Sequence, residues 1–308
     1  MTMMLANPIR RMGDYLNHVE LNFDDVVIHS RLKHFEKRVE DSGLSIKLGV
    51  QGEEHFIINR DRLTIGEGRF LIVNRHQTFD CELHAREPVE ALCIYLSQEA
   101  LNQAQHALFN TLDQQLGNFL PDTKPAQAFL EKIYHVSENR LGRFLEQQKT
   151  ILLNQHLSST IDWPCFYQNL AENLLLTQFQ TESMIEKITS ARRATREELF
   201  RRLCIAHQFI LDNYESEIDL DTLAQKATIS KFHLLRTYRE TFGTTPYRQV
   251  LDLRLERSRQ LLQADYSLEE IAFQLGFSDR RAFTKAFRKT FQQSPSSYRK
   301  RKKQAVPV

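Results

Sequence analysis

Leu220-Asp-Thr-Leu-Ala-Gln-Lys-Ala-Thr-Ile-Ser230 and Leu268-Glu-Glu-Ile-Ala-Phe-Gln-Leu-Gly-Phe-Ser278 are two versions of one segment. The pairs Leu220/Leu268, Leu223/Ile271, Ala224/Ala272, Ile229/Phe277 and Ser230/Ser278 stand 48 residues apart. After the serines the spacing becomes 49, through Leu234/Phe283, Arg236/Lys285, Tyr238/Phe287, Arg239/Arg288, Phe242/Phe291 and Pro246/Pro295. One residue has therefore entered the second copy near the start of its longer helix. Each copy, 220–242 and 268–291, reads as a short helix, a tight turn and a longer helix. The small Ala224 and Ala272 let the two helices approach closely. Gly276 suits the turn, and Ser230 or Ser278 is placed to cap the longer helix. A plain array of helical hairpins would show the same period. The basic faces of the longer helices favour instead the arrangement that lays a helix in the major groove of DNA.

At 100° per residue, Phe283, Ala286 and Phe287 fall on one side of the second long helix, and Arg281, Thr284, Lys285 and Arg288 on the other. In the first copy Leu234, Leu235, Tyr238 and Phe242 form the buried side, with Phe232, Arg236 and Arg239 opposite. Phe232 is an aromatic on a polar face. It suits contact with a thymine methyl and equally a staple against neighbouring loop residues. Between the copies, Tyr247 to Gln263 reads as one helix with Val250, Leu251, Leu255, Leu261 and Leu262 as its apolar positions. Such a rod, roughly 25 Å long at 1.5 Å per residue, would hold two recognition helices about one DNA turn apart.

Upstream, Thr195-x-x-Glu198 has the form of a capping box opening a helix whose buried side is Leu199, Leu203, Ala206, Phe209 and Ile210. The polar, basic stretch 191–195 before it reads as a linker. From Leu44 to Leu96 short runs (Leu44–Val50, His55–Asn59, Phe70–Asn74, Phe79–Leu83, Ala91–Leu96) alternate with turn residues, including Arg86–Pro88, and predict strands in a sandwich or small barrel. After Pro121 the spacing turns helical, through Phe129, Ile133 and Val136, then Leu141, Phe144 and Leu145. Pro164 opens a further helix reaching Ile188.

The charge is divided along the chain. A net charge of +2 conceals 23 Lys and Arg against 14 Asp and Glu in residues 191–308, and 18 against 25 in residues 1–190. A polyanion is drawn to one end and repelled by the other. The run Arg299-Lys300-Arg301-Lys302-Lys303 supplies five of those cations, so charge by itself decides little. No apolar run approaches the ~18 residues of a membrane helix, and the start of the chain does not read as a signal peptide. Cys81, Cys93, Cys165 and Cys204 are widely spaced, with no CxxC pair, which fits a reducing cytoplasm and disfavours disulfides and zinc.

Four motifs together closely resemble the signature of the AraC/XylS-type regulators: Arg254-Leu255-x-x-Ser258-Arg259-x-Leu261-Leu262; Ile271-Ala272-x-x-x-Gly276-Phe277-Ser278-Asp279; Phe283-x-Lys285-x-Phe287-Arg288-Lys289; and Ser294-Pro295-x-x-Tyr298-Arg299. Three departures stand out. Ser258 replaces a usual alanine, Tyr238 a usual phenylalanine, and Gln292 a usual glycine. The resemblance implies an α+β multidomain protein. A cupin-like β-barrel over 1–122 would sense a small-molecule effector, and helices over 123–190 would dimerise. Residues 196–303 would form an all-α DNA-binding domain of two helix-turn-helix units joined by a linker helix. It implies that Lys231, Phe232, Leu235 and Arg236 read bases in the first unit, with Leu235 discounted because it also fits the buried side. Arg280, Arg281, Thr284 and Lys285 would read bases in the second. Arg239 and Arg288 would meet phosphate, which positions without specifying. Arg236 and Arg281 lead the set, since arginine to guanine is the commonest specific pairing.

The expected partners are double-stranded DNA, an effector, a second copy of the chain and RNA polymerase, with no membrane and no cofactor. The expected role is that of a cytoplasmic regulator, of activator type, and not an enzyme. His76 and His84 lack the clustering a cupin metal site requires, and no P-loop, dinucleotide or Gly-x-Ser-x-Gly motif occurs. Two alternatives compete with a ligand-responsive regulator. One is a catalytic N-terminal domain fused to a DNA-binding module. The other is a constitutive regulator whose barrel serves only dimerisation.

Overall fold

The computed structural model describes residues 9–13, 25–116, 128–190, 192–264 and 266–304. The chain divides into two compact units, Met1–Glu182 and Ser183–Val308.

Among the described residues the first unit has eight strands: β1 (Ile9–Gly13), β2 (Val26–Val39), β3 (Ser45–Gln51), β4 (Glu54–Ile58), β5 (Asp61–Ile65), β6 (Arg69–Val73), β7 (Phe79–Tyr95) and β8 (Ile133–His135). The sheet runs β1-β2-β7-β3-β6-β8, with β4 bonded to β7 and β5. The 17-residue β7 is its spine. It pairs with β2 along one edge, and with β3 and then β4 along the other. The residues read as a turn at Arg86–Pro88 lie inside this strand, which corrects the expectation of two separate strands. The ladder to β2 shifts between Leu32/Val89 and His34/His84, so Pro88 sits at the irregularity, where its missing N–H breaks no pairing.

That shift also controls which side chains face inward. Ile28, Ser30 and Leu32 line the barrel interior before it, and Phe35, Lys37 and Val39 after it. A strict period of two would have sent the second set outward. β2 is crowded with charge on its outer face (Arg31, Glu36, Arg38), which hid it from a search for apolar runs.

The opposite face of the central strands is dry. Ile46, Leu48, Phe70, Ile72, Leu92 and Ile94 pack with Leu141, Leu145, Phe166, Leu170 and Leu174. The latter come from α2 (Arg140–Leu153) and α4 (Trp163–Glu186), which follow α1 (Gln98–Leu116) and flank the short α3 (Gln155–Ser158). The expected helical spacing of Phe129, Ile133 and Val136 fails. Ile133–His135 is instead an edge strand on β6, and Tyr134 stacks on Phe70 with ring centroids 5.1 Å apart. Three apolar positions did not separate a helix from a strand leading into a turn. The helix begins only at Arg140, where the Asn139 side chain accepts from the Gly142 N–H at 2.8 Å.

The second unit contains α5 (Arg193–Asn213), α6 (Leu220–Ala227), α7 (Lys231–Phe242), α8 (Pro246–Leu261), α9 (Leu268–Gln274), α10 (Arg280–Phe291) and α11 (Pro295–Gln304). α5 starts inside the stretch read as a linker. Its N-cap is Arg192 without a side-chain bond, so the capping box expected at Thr195 does not form. Ion pairs one turn apart, Arg193–Glu197 at 2.7 Å and Arg202–Glu198 at 2.8 Å, hold this first part of the helix instead. α5 packs on α6, α7 and α8, and His207 stacks on Phe242 with centroids 4.5 Å apart. A separate core of Leu255, Leu262, Ile271, Leu275, Phe283, Phe287 and Tyr298 joins α8 to α9, α10 and α11.

Candidate nucleic-acid interface

The two copies are stabilised by the same devices in different residues. Asp219 caps α6, accepting from the Thr222 N–H at 2.7 Å and from its hydroxyl at 2.8 Å. These bonds from Thr222 hold the Asp219 carboxyl below its ordinary range. Ser267 caps α9 in a full capping box with Glu270. Each short helix then ends in a left-handed residue, Thr228 at φ 54° in the first copy and Gly276 at φ 65° in the second. Each long helix does the same, at Gly243 (φ 71°) and Gln292 (φ 55°). Each copy thus places glycine at one of its two left-handed positions and an ordinary residue at the other.

The inserted residue can now be located. α10 is capped by Asp279, which accepts from the Ala282 N–H at 2.7 Å, and not by Ser278. Ser230, the expected cap of α7, makes no side-chain capping bond. Asp279 therefore corresponds to Ser230, and Ser278 is the extra residue in the turn.

On α10, Phe283 and Phe287 are fully buried while Arg281, Lys285 and Arg288 are exposed and Thr284 is half-buried. Arg280, Arg281, Thr284, Lys285 and Arg288 line one open cleft with Lys289. Lys289 was missed by the sequence reading, although it continues the stripe one turn beyond Lys285. On α7, Phe232, Leu235, Arg236 and Arg239 line a second open cleft. Phe232 is 89% exposed, so it does not staple the loop. Leu235, assigned to the buried side, is 38% exposed and joins the cleft. Leu234 and Tyr238 fill the core on their own, and Leu235 falls just past its edge.

The cations differ in what they touch. Lys231 pairs with Asp221, and Arg280 pairs with Glu269 at 2.7 Å. These are equivalent bridges from each short helix to the first residue of the long one. Arg236 lies 3.8 Å from Glu240. Among the described residues Arg281, Lys285 and Arg288 have no acidic partner. Exposed pairs of this kind contribute about 0–1 kcal/mol, so a phosphate or base can displace the carboxylate. α10 therefore presents a run of cations without acidic partners, while α7 presents two exchangeable cations, Lys231 and Arg236, and Arg239 beside the apolar Phe232 and Leu235.

Arg254 on α8 positions the second unit. Its guanidinium donates to the carbonyls of Tyr214 (2.6 Å), Ser216 (2.7 Å) and Gly276 (2.6 Å), tying the end of α5 to the α9–α10 turn. Two of the three departures from the family signature are compensated by hydrogen bonds. The buried Ser258 hydroxyl donates to the Leu255 carbonyl at 2.6 Å, and the Tyr238 hydroxyl meets His207 Nδ1 at 2.6 Å.

Among the described residues no group of three His, Cys, Asp or Glu is placed to hold a metal, and no helix is long and apolar enough to cross a membrane. His76 is exposed and paired with Asp41 at 2.5 Å, and the rings of His84 and His34 lie 6.1 Å apart. Neither belongs to the clefts.

Residues 223–301 match a helix-turn-helix domain model, and residues 27–153 match an AraC-like ligand binding domain model. The chain is 37% identical to the probable transcription factor PqrA of Proteus vulgaris, over 27% of this chain and 68% of that protein. It is 25% identical to the HTH-type transcriptional regulator YdeC of Bacillus subtilis over 82% of this chain and 81% of YdeC. Against the MmsAB operon regulatory protein of Pseudomonas aeruginosa it is 32% identical, and spans only 32% of that protein's length.

Proposed function

Because the chain belongs to the AraC family of helix-turn-helix regulators, we propose that it controls transcription by sequence-specific binding of double-stranded DNA through α7 and α10. The observation that carries this is the stripe Arg281, Lys285 and Arg288. It is exposed and free of acidic partners, and it stands opposite the buried Phe283 and Phe287. A diverged copy of the same face occurs on α7.

In this reading Arg281 and Arg236 take bidentate positions on guanine. Phe232 and Leu235 meet thymine methyls, and Lys231, Arg280, Thr284 and Lys285 complete the base contacts. Arg239 and Arg288 anchor phosphate. The 16 residues of α8 give a spacer of about 24 Å, which supports contact with successive major grooves on one DNA face. The β-rich part of residues 1–122 binds a small-molecule effector, supported by its match to an AraC-like ligand binding domain and by an interior cavity. Residues 123–190 form the dimerisation region, and α5 opens the DNA-binding domain at Arg193, three residues before the boundary expected from sequence. A homodimer, RNA polymerase as partner and a cytoplasmic location complete the proposal, with regulation and not catalysis as the role. Selection of operators from random duplexes tests it. The double variant Arg236→Ala/Arg281→Ala should lose preference at two positions, and full retention of the wild-type preference would overturn the assignment.

A further inference from the structure

Lys47 is a cation in an apolar interior. It lies on β3, whose alternate residues Ile46 and Leu48 face the helix-covered core, so Lys47 is turned toward the barrel cavity and is only 7% exposed. An ammonium has three protons to donate. Two are used, one on the Cys93 Sγ at 2.7 Å and one on the Tyr95 hydroxyl at 3.3 Å. Neither acceptor is a carboxylate. The rings of Tyr95 and Phe79 lie 4.7 and 5.3 Å from Nζ. Among the described residues Lys47 has no carboxylate in ion-pair contact, and a buried, unpaired charge is costly.

The same cavity holds the opposite charge. Glu54 of β4 lines it, and among the described residues its carboxylate makes neither a hydrogen bond nor an ion pair. Burial pushes its carboxyl up to about 7, while Lys47 pulls the other way. The two groups therefore feel each other without touching. Around them the lining is apolar and aromatic, with Leu32, Phe35, Phe56 and Phe79. A second cation, Lys37, reaches the cavity from an exposed position, where water solvates it.

We infer that the cavity takes a small zwitterion with an apolar body, of the apolar α-amino acid class, its carboxylate on Lys47, its ammonium on Glu54 and its side chain among the rings. The assignment rests on the reading of the barrel as an effector domain and names the effector's chemistry. One ligand with both charges fills the gap that separates Lys47 from Glu54. A monoacid would set its carboxylate beside Glu54, and an amine would set its charge beside Lys47.

The test is titration calorimetry on the full chain with L-phenylalanine and L-leucine. The acid lacking the ammonium (3-phenylpropionate) and the amine lacking the carboxylate (phenethylamine) serve as half-ligands. An amino acid should bind, and each half-ligand at least tenfold more weakly. Glu54→Gln should bring the acid and the amino acid within threefold of each other. Lys47→Met should do the same for the amine and should raise the melting temperature of the ligand-free chain. If Lys47→Met does not fold, Glu54→Gln still decides. Equal binding of 3-phenylpropionate and phenylalanine to the wild type would overturn the assignment. If no amino acid binds but a metabolite extract shifts the melting temperature, the assignment falls and the effector reading stands. If no pool shifts it, both fall.

Discussion

Gly276→Ala should unlock the second helix-turn-helix unit without touching its DNA-facing surface. Gly276 has φ 65°, where an L-residue costs about 1–2 kcal/mol. A Cβ there would also stand 2.8 Å from the Arg254 Nη2 and 2.9 Å from the Glu215 carbonyl oxygen. The arginine tip can move. The backbone carbonyl cannot, because Arg254 fastens the carbonyls on either side of it, Tyr214 and Ser216. Retreat of the guanidinium weakens three charge-assisted bonds of the sort that contribute about 1.5–3 kcal/mol each, mostly re-formed with water. The net cost is about 2–4 kcal/mol, or roughly 10 °C in the melting of a unit this size. Calorimetry of the full chain measures it, the relevant transition being the one that operator DNA moves upward. Binding should weaken equally on all sequences. A variant whose transition lies within about 1 °C of wild type would show that neither the left-handed backbone nor the Arg254 clamp holds this turn.

The two ordinary residues in left-handed conformations give the opposite sign: Thr228→Gly and Gln292→Gly should each stabilise by about 1 kcal/mol, read from the same transition, with the β-branched Thr228 gaining more. Arg281→Ala should cost about 1–3 kcal/mol at one base pair and relax the preference there, whereas Arg288→Ala should weaken all duplexes alike and reduce the salt slope by about one, both read in binding titrations at several salt concentrations. Glu54 sets a pH dependence. Between its ordinary value of 4.5 and about 7 the folded chain keeps a proton that the unfolded chain releases, so stability falls as pH rises through that window. Glu54→Gln should remove this component and stabilise the chain at pH 8 by up to about 3 kcal/mol. Melting curves of both proteins at pH 4.5 and pH 8 check it, and parallel pH profiles would rule it out.

The repeat at 220–242 and 268–291 could be read from sequence because its rules are local. Caps, a close helix contact at alanine and a 3.6-residue apolar period act within a few turns, and they place α6, α7, α9 and α10 to within a residue or so. The basic stripe of α10 follows from the same period. Where the outcome depended on partners distant in sequence, local pattern failed. The continuity of β7 through Pro88 is decided by a bulge in β2, more than 50 residues earlier. Ile133–His135 is a strand because the edge of β6 is open to it. Leu235 is exposed because Leu234 and Tyr238 already fill the core beneath α7. Above all, nothing local distinguishes Lys47 from the surface lysines. Its neighbours Ile46 and Leu48 are buried on one face of the sheet, and only closure of β2, β4 and β7 over the other face removes Lys47 from water and sets Glu54 in the same cavity. The sequence by itself determined the helices that meet DNA, since each is a short-range pattern. Tertiary structure decided which charges stand free on those helices and which are buried in the barrel, because burial is a property of the whole sheet and not of any segment.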